Sequence, residues 1–301
     1  MVFWLNVIGA LVIGGWYVMQ PAERQIEVRK LVGNAFDQNK RVSPWDVAWD
    51  LYQLYYSADF VEVSASGGDR TYTYAGFPQG PADETTRMLV NRAYVVGYSE
   101  RMENPRWAVY RVADIDPLPP APERPERFEV DRRTVSRVAP ADYTNSGYDR
   151  GHLAPNYAIG TRYGEAAQLE TFFMSNVIPQ RHALNAGAWK ELEMAIASSY
   201  PARFGEVWVI AGPIFAPNPR RLGRNGPALP EACYMIVIDE SGGRVRTQAF
   251  VFAEDTPTGT DAGRYLVSID EIERRTGLDF LTDLPDDAEV QLEAQVASRV
   301  W

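Results

Sequence analysis

The stretch that decides the fold runs from Tyr148 to Glu193. It begins Tyr-Asp-Arg-Gly-His-Leu-Ala-Pro (148–155) and continues, after residues 156–170, as Thr-Phe-Phe-Met-Ser-Asn-Val-Ile-Pro-Gln (171–180) and Arg-His-Ala-Leu-Asn-Ala-Gly-Ala-Trp-Lys-Glu-Leu-Glu (181–193). The window holds an imidazole, several amide and carboxylate oxygens, and a guanidinium. Histidine can take a proton from water near neutral pH, oxygen donors hold a hard cation, and arginine binds phosphate oxygens. Together these groups suit the cleavage of a phosphodiester bond.

The same window predicts a strand followed by a helix. Residues 171–176 form an apolar, aromatic run that Pro179 follows, which is typical of a strand leading into a loop. From Asn185 onward, apolar residues fall three or four positions apart, which is helical spacing. On that helix Asn185 and Glu193 would lie roughly 80° apart and two turns along, and His152 would face them from the preceding segment. The expected unit is strand, strand and helix, with a metal ion between them.

These residues resemble the DNA/RNA non-specific endonuclease family, the ββα-metal nucleases. The matching elements are the Asp-Arg-Gly-His tetrad at 149–152, Ser175-Asn176 with Pro179-Gln180, and Asn185 with Trp189 and Glu193. The resemblance covers residues 86–285. It implies an α+β fold, in which an antiparallel sheet core carries a ββα-metal (His-Me finger) catalytic motif.

The resemblance also implies a role for each residue that matches the motif. His152 would be the general base, and Asn185 the direct ligand of Mg²⁺ or Mn²⁺. Glu193 would orient a water on the metal, while Arg150 and Asn176 would support the phosphate and the geometry of the site. The activity implied is metal-dependent hydrolysis of DNA and RNA without sequence preference, with 5′-phosphate ends as products.

One position departs from the family pattern. A basic residue often stands four positions before the strand tryptophan, here Trp107, but Glu103 occupies that position. Arg101 and Arg106 flank it and are candidate substrate-binding residues. The sequence therefore leaves open which arginine supplies a second guanidinium at the site, besides that of Arg150.

Several of these residues also have ordinary structural interpretations. Asn185 suits the N-cap of the helix that follows, a role that does not exclude metal ligation. Asp149 suits the anchoring of its loop through hydrogen bonds to backbone donors. His182 is one of only two histidines, and we interpret it as a loop residue because of its position near Pro179.

The formal net charge of −10 is the main compositional argument against a nucleic-acid enzyme, since lysine and arginine supply most non-specific affinity. Arg220, Arg221 and Arg224 cluster after Gly212-Pro213 and can track a phosphate backbone, although a solvated loop explains them about equally well. A bound divalent cation would also change the local potential. Two alternatives stay open: a metal-dependent phosphodiesterase acting on small nucleotides, and a membrane-tethered, inactive nuclease-like binding protein.

Residues 1–20 predict a membrane anchor. The run 2–19 carries no charge, nearly spans the roughly 30 Å hydrocarbon layer, and has Trp4, Trp16 and Tyr17 near its ends. A signal peptide would want a basic start and a small-residue cleavage site, and neither is seen. A buried core helix is the remaining alternative. Basic residues after the span favour a cytoplasmic catalytic domain, whereas the family resemblance favours an extracytoplasmic one, toward which we lean.

The remaining sequence predicts a small adapter over residues 21–78 and a nuclease domain over residues 79–301. The adapter should be helical and then partly strand, over residues 60–74. Residues 116–126 hold five prolines and predict an exposed loop. Cys233, the single cysteine, is expected in a buried strand. The partners expected are DNA and RNA, and the membrane through the N-terminal helix, while a homodimer stays open.

Overall fold

The computed structural model of the protein describes five stretches of the chain: residues 11–36, 42–56, 59–63, 70–81 and 85–301. The chain divides into two compact units, Met1–Ala58 and Asp59–Trp301. The division places the predicted adapter helices in the first unit and the stretch 148–193 in the second.

The first unit contains the helices that the spacing predicts, α1 (Ala22–Phe36) and α2 (Pro44–Tyr56). Ser43 caps α2, because its hydroxyl accepts the backbone N–H of Asp46 at 3.2 Å and its own N–H donates to the Asp46 carboxylate at 3.1 Å. The first half of the predicted anchor, residues 1–10, lies outside the described residues. Within the described stretches, no helix is long and apolar enough to cross a membrane.

The second unit is built on an antiparallel sheet of eight strands, in the order β1-β9-β8-β7-β4-β3-β2 with β10 paired to β9. The strands are β1 (Val61–Glu62), β2 (Arg87–Val90), β3 (Tyr94–Ser99), β4 (Asn104–Ala113), β7 (Glu206–Ile214), β8 (Ala232–Ser241), β9 (Arg244–Ala253) and β10 (Leu266–Val267). The predicted α+β class with an antiparallel sheet is confirmed.

Both faces of this sheet are buried. Along β4, Ala108, Tyr110 and Val112 belong to one hydrophobic cluster, whereas Trp107 and Val109 belong to the other, because successive side chains point to opposite faces. The long helix α6 (Ala188–Phe204) covers the first face. The helices α7 (Ile269–Thr276) and α8 (Asp286–Ala294) cover the second. Because helices cover both faces of the sheet, a catalytic site would have to lie at its ends or edges.

Several local features that the sequence predicts are present in the second unit. Gly242 and Gly243 form the β8–β9 turn with φ of 59° and 81°, conformations that suit the two-residue hairpins for which glycine is preferred. The Ser268 hydroxyl accepts the backbone N–H of Glu271 and caps α7. Cys233 is buried in β8. Residues 116–126 contain no helix or strand, as their prolines predict.

A second, two-stranded sheet consists of β5 (Asp149–His152) and β6 (Val177–Gln180). Between these strands lie α3 (Asn156–Tyr163) and α4 (Glu165–Glu170), and α5 (His182–Asn185) follows β6.

Two strand predictions were wrong in their bounds. The strand expected at residues 171–176 begins only at Val177, because Met174–Asn176 forms a 3-10 turn that buries Met174 and Asn176. An apolar run has no strand period of its own, so its residues can fill a core from a turn equally well. Of residues 60–74, only Val61–Glu62 is a strand in the described part.

Candidate active site

The antiparallel pair of strands β5 and β6 sets the geometry of the site. Asp149 stands opposite Gln180, and His152 opposite Val177, so both ends of the tetrad are held by a paired strand. A Cβ built on Gly151 would lie 1.9 Å from the side-chain oxygen of Gln180. Only glycine therefore lets Gln180 pack across the tetrad, which gives the third residue of Asp-Arg-Gly-His a physical reason.

His152 packs against two phenylalanine rings that also contact each other. Its ring centroid is 5.2 Å from that of Phe128 and 5.0 Å from that of Phe172. Nε2 is buried with no hydrogen-bond partner in the described chain, whereas the residue as a whole is half-buried. Burial, followed by the charge of Arg124, lowers the pKa of His152 to about 3. The imidazole is therefore neutral at pH 7 and can accept a proton.

Asp149 joins β5 to the helix that follows β6. One carboxylate oxygen, Oδ2, accepts a hydrogen bond from His182 Nδ1 at 2.8 Å and from Asn185 Nδ2 at 2.9 Å. Because a carboxylate only accepts, it fixes the amide nitrogen of Asn185 toward itself and turns the amide oxygen away. That oxygen accepts no hydrogen bond in the described chain. The loop-anchoring interpretation of Asp149 is wrong, since its partners are side chains, and His182 begins a short helix rather than lying in a loop.

Asn185 is not the cap of the long helix. It ends α5, and the N-cap of α6 is Gly187. The sequence predicted that Asn185 and Glu193 lie on one helix, but a break at residues 186–187 puts them on two separate helices. The amide of Asn185 is therefore free of the capping role that competes with ligation.

Asn176 holds the backbone beside the imidazole. Its amide oxygen accepts the N–H of Ala154 at 2.9 Å, and its amide nitrogen donates to the carbonyls of Ala154 and Thr171 at 2.9 and 3.0 Å. The side chain is fully buried. In the absence of substrate, all of these bonds go to backbone groups, which tie the segment after His152 to the turn before β6.

Glu193 sits one helical turn after Trp189, whose indole N–H donates to it at 2.9 Å. Burial raises the pKa of Glu193 to about 8, an effect that the Trp189 hydrogen bond and the charges of Lys190 and Arg124 only partly offset. Near neutral pH and without a cation, this carboxyl is therefore mostly protonated. A nearby divalent cation would favour the carboxylate instead.

Arg124 is the residue that sequence reasoning missed. Its guanidinium lies 5.2 Å from the centre of the Phe172 ring, and its charge lowers the pKa of both His152 and Glu193. It belongs to the proline-rich loop at residues 116–126, which carries no motif of its own. The only available signal was that proline fixes φ and can hold such a loop in place.

Arg150 is held by aromatic rings. Its guanidinium lies 5.7 Å from the Phe128 ring and 5.9 Å from the Tyr143 ring, and one amino group donates to the carbonyl of Pro140 at 2.7 Å. Its Nε is buried without a partner in the described chain. The side chains of Arg150 and His152 thus both pack on Phe128.

The four arginines proposed for substrate binding fall in different surroundings. Arg221 donates to the carbonyls of Gly226 and Arg101 and lies 3.6 Å from the Glu103 carboxylate. Arg106 is buried and donates to the carbonyl of Thr276 at 2.7 Å. These residues line or brace one groove, whereas Arg220 lines another, of about 370 Å³, with Tyr148 and Arg181. Tyr148 and Arg181 adjoin the Asp149–His182 pair in the sequence, so Arg220 lies beside the site.

The raised pKa of Glu193 predicts a pH-dependent cost in stability. Because the folded pKa of about 8 exceeds the ordinary value of 4.5, the stability associated with the protonated carboxyl is fully present below pH 4.5 and lost as pH rises through 8. Glu193→Gln cannot titrate. In metal-free buffer the parent should therefore lose about 1–3 kcal/mol of unfolding free energy between pH 5 and pH 9, after allowing for partial exposure, and Glu193→Gln should not show this loss. Urea unfolding at both pH values would measure this; parallel pH profiles for the two proteins would contradict it.

Comparison with known proteins places this chain in a family. Residues 70–287 match the family described as DNA/RNA non-specific endonuclease. Nuclease EXOG, mitochondrial, of Danio rerio is 29% identical over 250 residues, which cover 77% of this chain and 70% of the relative. The nuclease of Serratia marcescens is 29% identical over 230 residues, with 73% and 84% covered.

Two further similarities agree with this result. Human endonuclease G, mitochondrial, is 30% identical over 217 residues, which cover 64% of this chain and 68% of the relative. In the solved structure of the EndoG/EndoGI complex, one chain matches with a TM-score of 0.61 at 24% identity, covering 76% of this chain and 96% of that one, so the fold is shared. The chain therefore belongs to the DNA/RNA non-specific endonuclease family and is a nuclease, a hydrolase that acts on nucleic acids.

Proposed function

We propose that the second unit is a divalent-metal-dependent endonuclease that hydrolyses DNA and RNA without sequence preference. The observation that carries this is a half-buried, neutral imidazole on the strand that begins with Asp149. From that strand, Asp149 orients the Asn185 amide. A proton acceptor and a hard oxygen donor supported by the same strand are the two parts that hydrolysis of a phosphodiester requires.

The residues present fit a hard cation such as Mg²⁺ or Mn²⁺. The Asn185 amide oxygen is turned away from Asp149 and carries no other hydrogen bond in the described chain. Glu193 offers a carboxylate whose ordinary ionisation is suppressed by burial, and a cation would restore it. Asn185 would bind the ion directly, and Glu193 would act through water. When bound, the ion would stabilise negative charge on the phosphate and the leaving oxygen.

The protein groups would then divide the remaining work. The imidazole of His152 would accept the proton of the attacking water, and burial keeps the ring neutral at pH 7. The Arg124 guanidinium, whose charge lowers the pKa of both His152 and Glu193, would bind a phosphate oxygen. It is our candidate for the unassigned second guanidinium. Arg150, which packs on Phe128, would bind or orient the phosphate.

Charge at the site supports this proposal against the net charge of −10. Arg124 and Arg150 pack on the same aromatic cluster as His152, and Arg181 lies 5.0 Å from the Tyr148 ring next to Asp149. Three guanidiniums therefore lie near His152 or Asp149. Affinity for nucleic acid should be modest and sensitive to salt, since it depends on few phosphate contacts.

One digestion experiment tests the proposal. Supercoiled plasmid, single-stranded DNA, RNA and a small phosphodiester would each be incubated with the protein, in Mg²⁺ and in chelator. We expect nicked and linear plasmid and degraded RNA in Mg²⁺ only. Cleavage of the small ester alone would favour a nucleotide phosphodiesterase. Binding of DNA with no cleavage in either Mg²⁺ or Mn²⁺ would favour an inactive binding protein.

Residues 1–20 are proposed to anchor the protein, with the catalytic unit on the extracytoplasmic side. The support is the uncharged run 2–19 with its flanking aromatic residues. Full-length protein should stay with membranes through a carbonate wash, whereas a variant lacking residues 1–20 should be soluble and active, because the site lies in a separate unit. Full-length protein in the soluble fraction would refute the anchor.

A further inference from the structure

A small groove lined by three arginines lies where β7 ends. Its volume is about 160 Å³, and its lining contains Arg101, Arg106 and Arg275 among neutral residues such as Phe215 and Thr276. Among the residues that the structure describes, no aspartate or glutamate lines this groove. The whole chain has 40 acids against 30 lysines and arginines. The groove of these three residues, the arginine groove, therefore has a charge opposite to that of the chain.

Arg106 is built into the wall of the arginine groove. The residue is only 6% exposed, and its Nη2 donates to the carbonyl of Thr276 at 2.7 Å. Its own carbonyl accepts the hydroxyl of Tyr234 at 3.1 Å, and a Cβ built on Gly212 would lie 2.3 Å from that carbonyl oxygen. Only glycine therefore lets β7 pass so close. Because arginine keeps its charge near neutral pH, this fixed guanidinium gives the groove a permanent positive potential.

The other two arginines come from different parts of the chain. Arg101 is exposed and lies between β3 and β4, where its carbonyl accepts a hydrogen bond from Arg221 at 2.6 Å. Arg275 lies in the last turn of α7 and donates to the carboxylate of Glu231 at 2.9 Å. The side chain of Glu231 is 50% exposed. Because an ion pair with so exposed a partner is weak, it does not prevent Arg275 from binding a phosphate.

The arginine groove adjoins the groove that contains Arg220. Ala216 lines both of them. The second groove also contains Tyr148, which directly precedes Asp149 of the catalytic tetrad, and Arg181, whose guanidinium lies 5.0 Å from the centre of the Tyr148 ring. The two adjacent grooves therefore lead from the catalytic strand to the three arginines.

We propose that the arginine groove is a second phosphate-binding subsite, which holds a backbone phosphate of the nucleic acid away from the bond that is cleaved. The inference rests on the proposed function for its ligand, because nucleic acid is the phosphate-bearing substrate of a nuclease. Arginine binds phosphate oxygens through paired hydrogen bonds, and a groove of about 160 Å³ has room for a phosphate group. Contacts to phosphates carry no sequence information, so the subsite would raise the affinity for all sequences alike.

The subsite explains how a chain with a net charge of −10 can bind a polyanion. Non-specific affinity arises from the counterions that are released when cationic side chains neutralise phosphates. It therefore depends on where the arginines contact the backbone, and less on the net charge of the protein. A substrate too short to reach the arginine groove should gain no affinity from it.

The competing explanation is that the three arginines only stabilise the fold. Arg106 contacts a carbonyl at the C-terminal end of α7, where positive charge is favourable, and Arg275 pairs with Glu231. Under this explanation, removing Arg275 lowers the stability but leaves the number of neutralised phosphates unchanged. The salt dependence of DNA binding separates the two explanations, because it counts phosphate contacts.

The test measures binding of the full-length chain to a fluorescent DNA duplex of mixed sequence, over a range of NaCl concentrations. Chelator is present so that no DNA is cleaved. For Arg275→Gln, we expect the slope of log K against log salt to be shallower by about 0.9, and Kd to rise about eightfold at roughly 0.1 M NaCl. Arg101→Gln should act in the same way. Arg274→Gln is the matched control, because Arg274 is the neighbouring arginine of α7, pairs with Glu271 and does not line the groove. Its slope should equal that of the parent.

Inorganic phosphate distinguishes a backbone phosphate from a free phosphate ion as the ligand. It should displace the duplex from the parent no better than chloride does at equal ionic strength. Preferential displacement by phosphate that is lost in Arg275→Gln would assign the groove to the free ion, and would overturn the proposal.

Three further results would overturn the subsite: unchanged slopes in both folded variants, an equal reduction in Arg274→Gln, or a parent that binds no duplex. Circular dichroism would establish folding. If Arg275→Gln does not fold, Arg101→Gln decides alone, since Arg101 is exposed. All of these measurements concern binding without metal. Unchanged slopes beside plasmid cleavage in Mg²⁺ would therefore refute the subsite alone, whereas reduced slopes with no cleavage would refute only the proposed hydrolysis.

Discussion

His152→Ala should lower the rate of plasmid cleavage by about 10²–10⁴-fold, the usual loss when a positioned general base is removed. The reason is specific to this fold. The imidazole packs against Phe128 and Phe172 and is kept neutral by burial. Because its pKa is about 3, the loss relative to the parent should be of similar size at pH 6 and at pH 8. Initial rates of plasmid nicking in saturating Mg²⁺ would measure it.

The control is chemical rescue. Added imidazole should restore part of the cleavage by His152→Ala, because the lost side chain leaves a space lined by the two phenylalanine rings, and should leave the parent unaffected. A merely structural histidine would show no such rescue. Circular dichroism and a thermal melt would establish that the variant is folded. A folded variant that nicks plasmid at close to the parent's rate would remove His152 from the chemistry.

Asn185→Ala and Glu193→Ala should both reduce cleavage, but in different ways. Asn185 presents an amide oxygen that Asp149 turns outward, so its loss should raise the Mg²⁺ concentration needed for half-maximal activity by at least about tenfold, as well as lowering turnover. Glu193 is proposed to act through water, so its loss should lower turnover mainly. Mg²⁺ titrations of cleavage for both variants would separate the two roles.

Glu191→Ala is the matched control for that comparison. It removes an exposed acid from the same helix, two residues before Glu193, and should leave both the turnover and the Mg²⁺ midpoint close to the parent's. An unchanged midpoint in Asn185→Ala would mean that this amide does not bind the metal. A midpoint shifted as far in Glu191→Ala would mean that the effect is general electrostatics of the helix.

The chain order and chemistry of the catalytic stretch could be predicted because each signal is local. The tetrad at 149–152 is recognised from four consecutive residues. Its glycine is explained by one contact with Gln180 on the paired strand β6. The capping of helices by Ser43 and Ser268 also involves only neighbours in the chain. Hairpin turns such as Gly242-Gly243 follow the same rule, because backbone preference at two residues decides them.

Roles that depend on distant contacts could not be predicted. Asp149 bonds to side chains 33 and 36 residues away, where the sequence suggested neighbouring backbone donors. Arg221, offered as a substrate residue, braces Glu103 and the carbonyl of Arg101 in this structure. The sequence shows that Arg221 is charged, but it does not show which carboxylate or carbonyl the guanidinium contacts.

The sequence by itself determined the family, the antiparallel α+β class and the short set of residues able to perform the chemistry. Only the tertiary structure decided which charges meet. It brought Arg124 from a proline-rich loop to the ring that packs on His152, and it gathered four other acids around Glu293. The physical reason is that secondary structure follows from neighbours along the chain, whereas pKa values and ligand clusters follow from groups that only packing brings together.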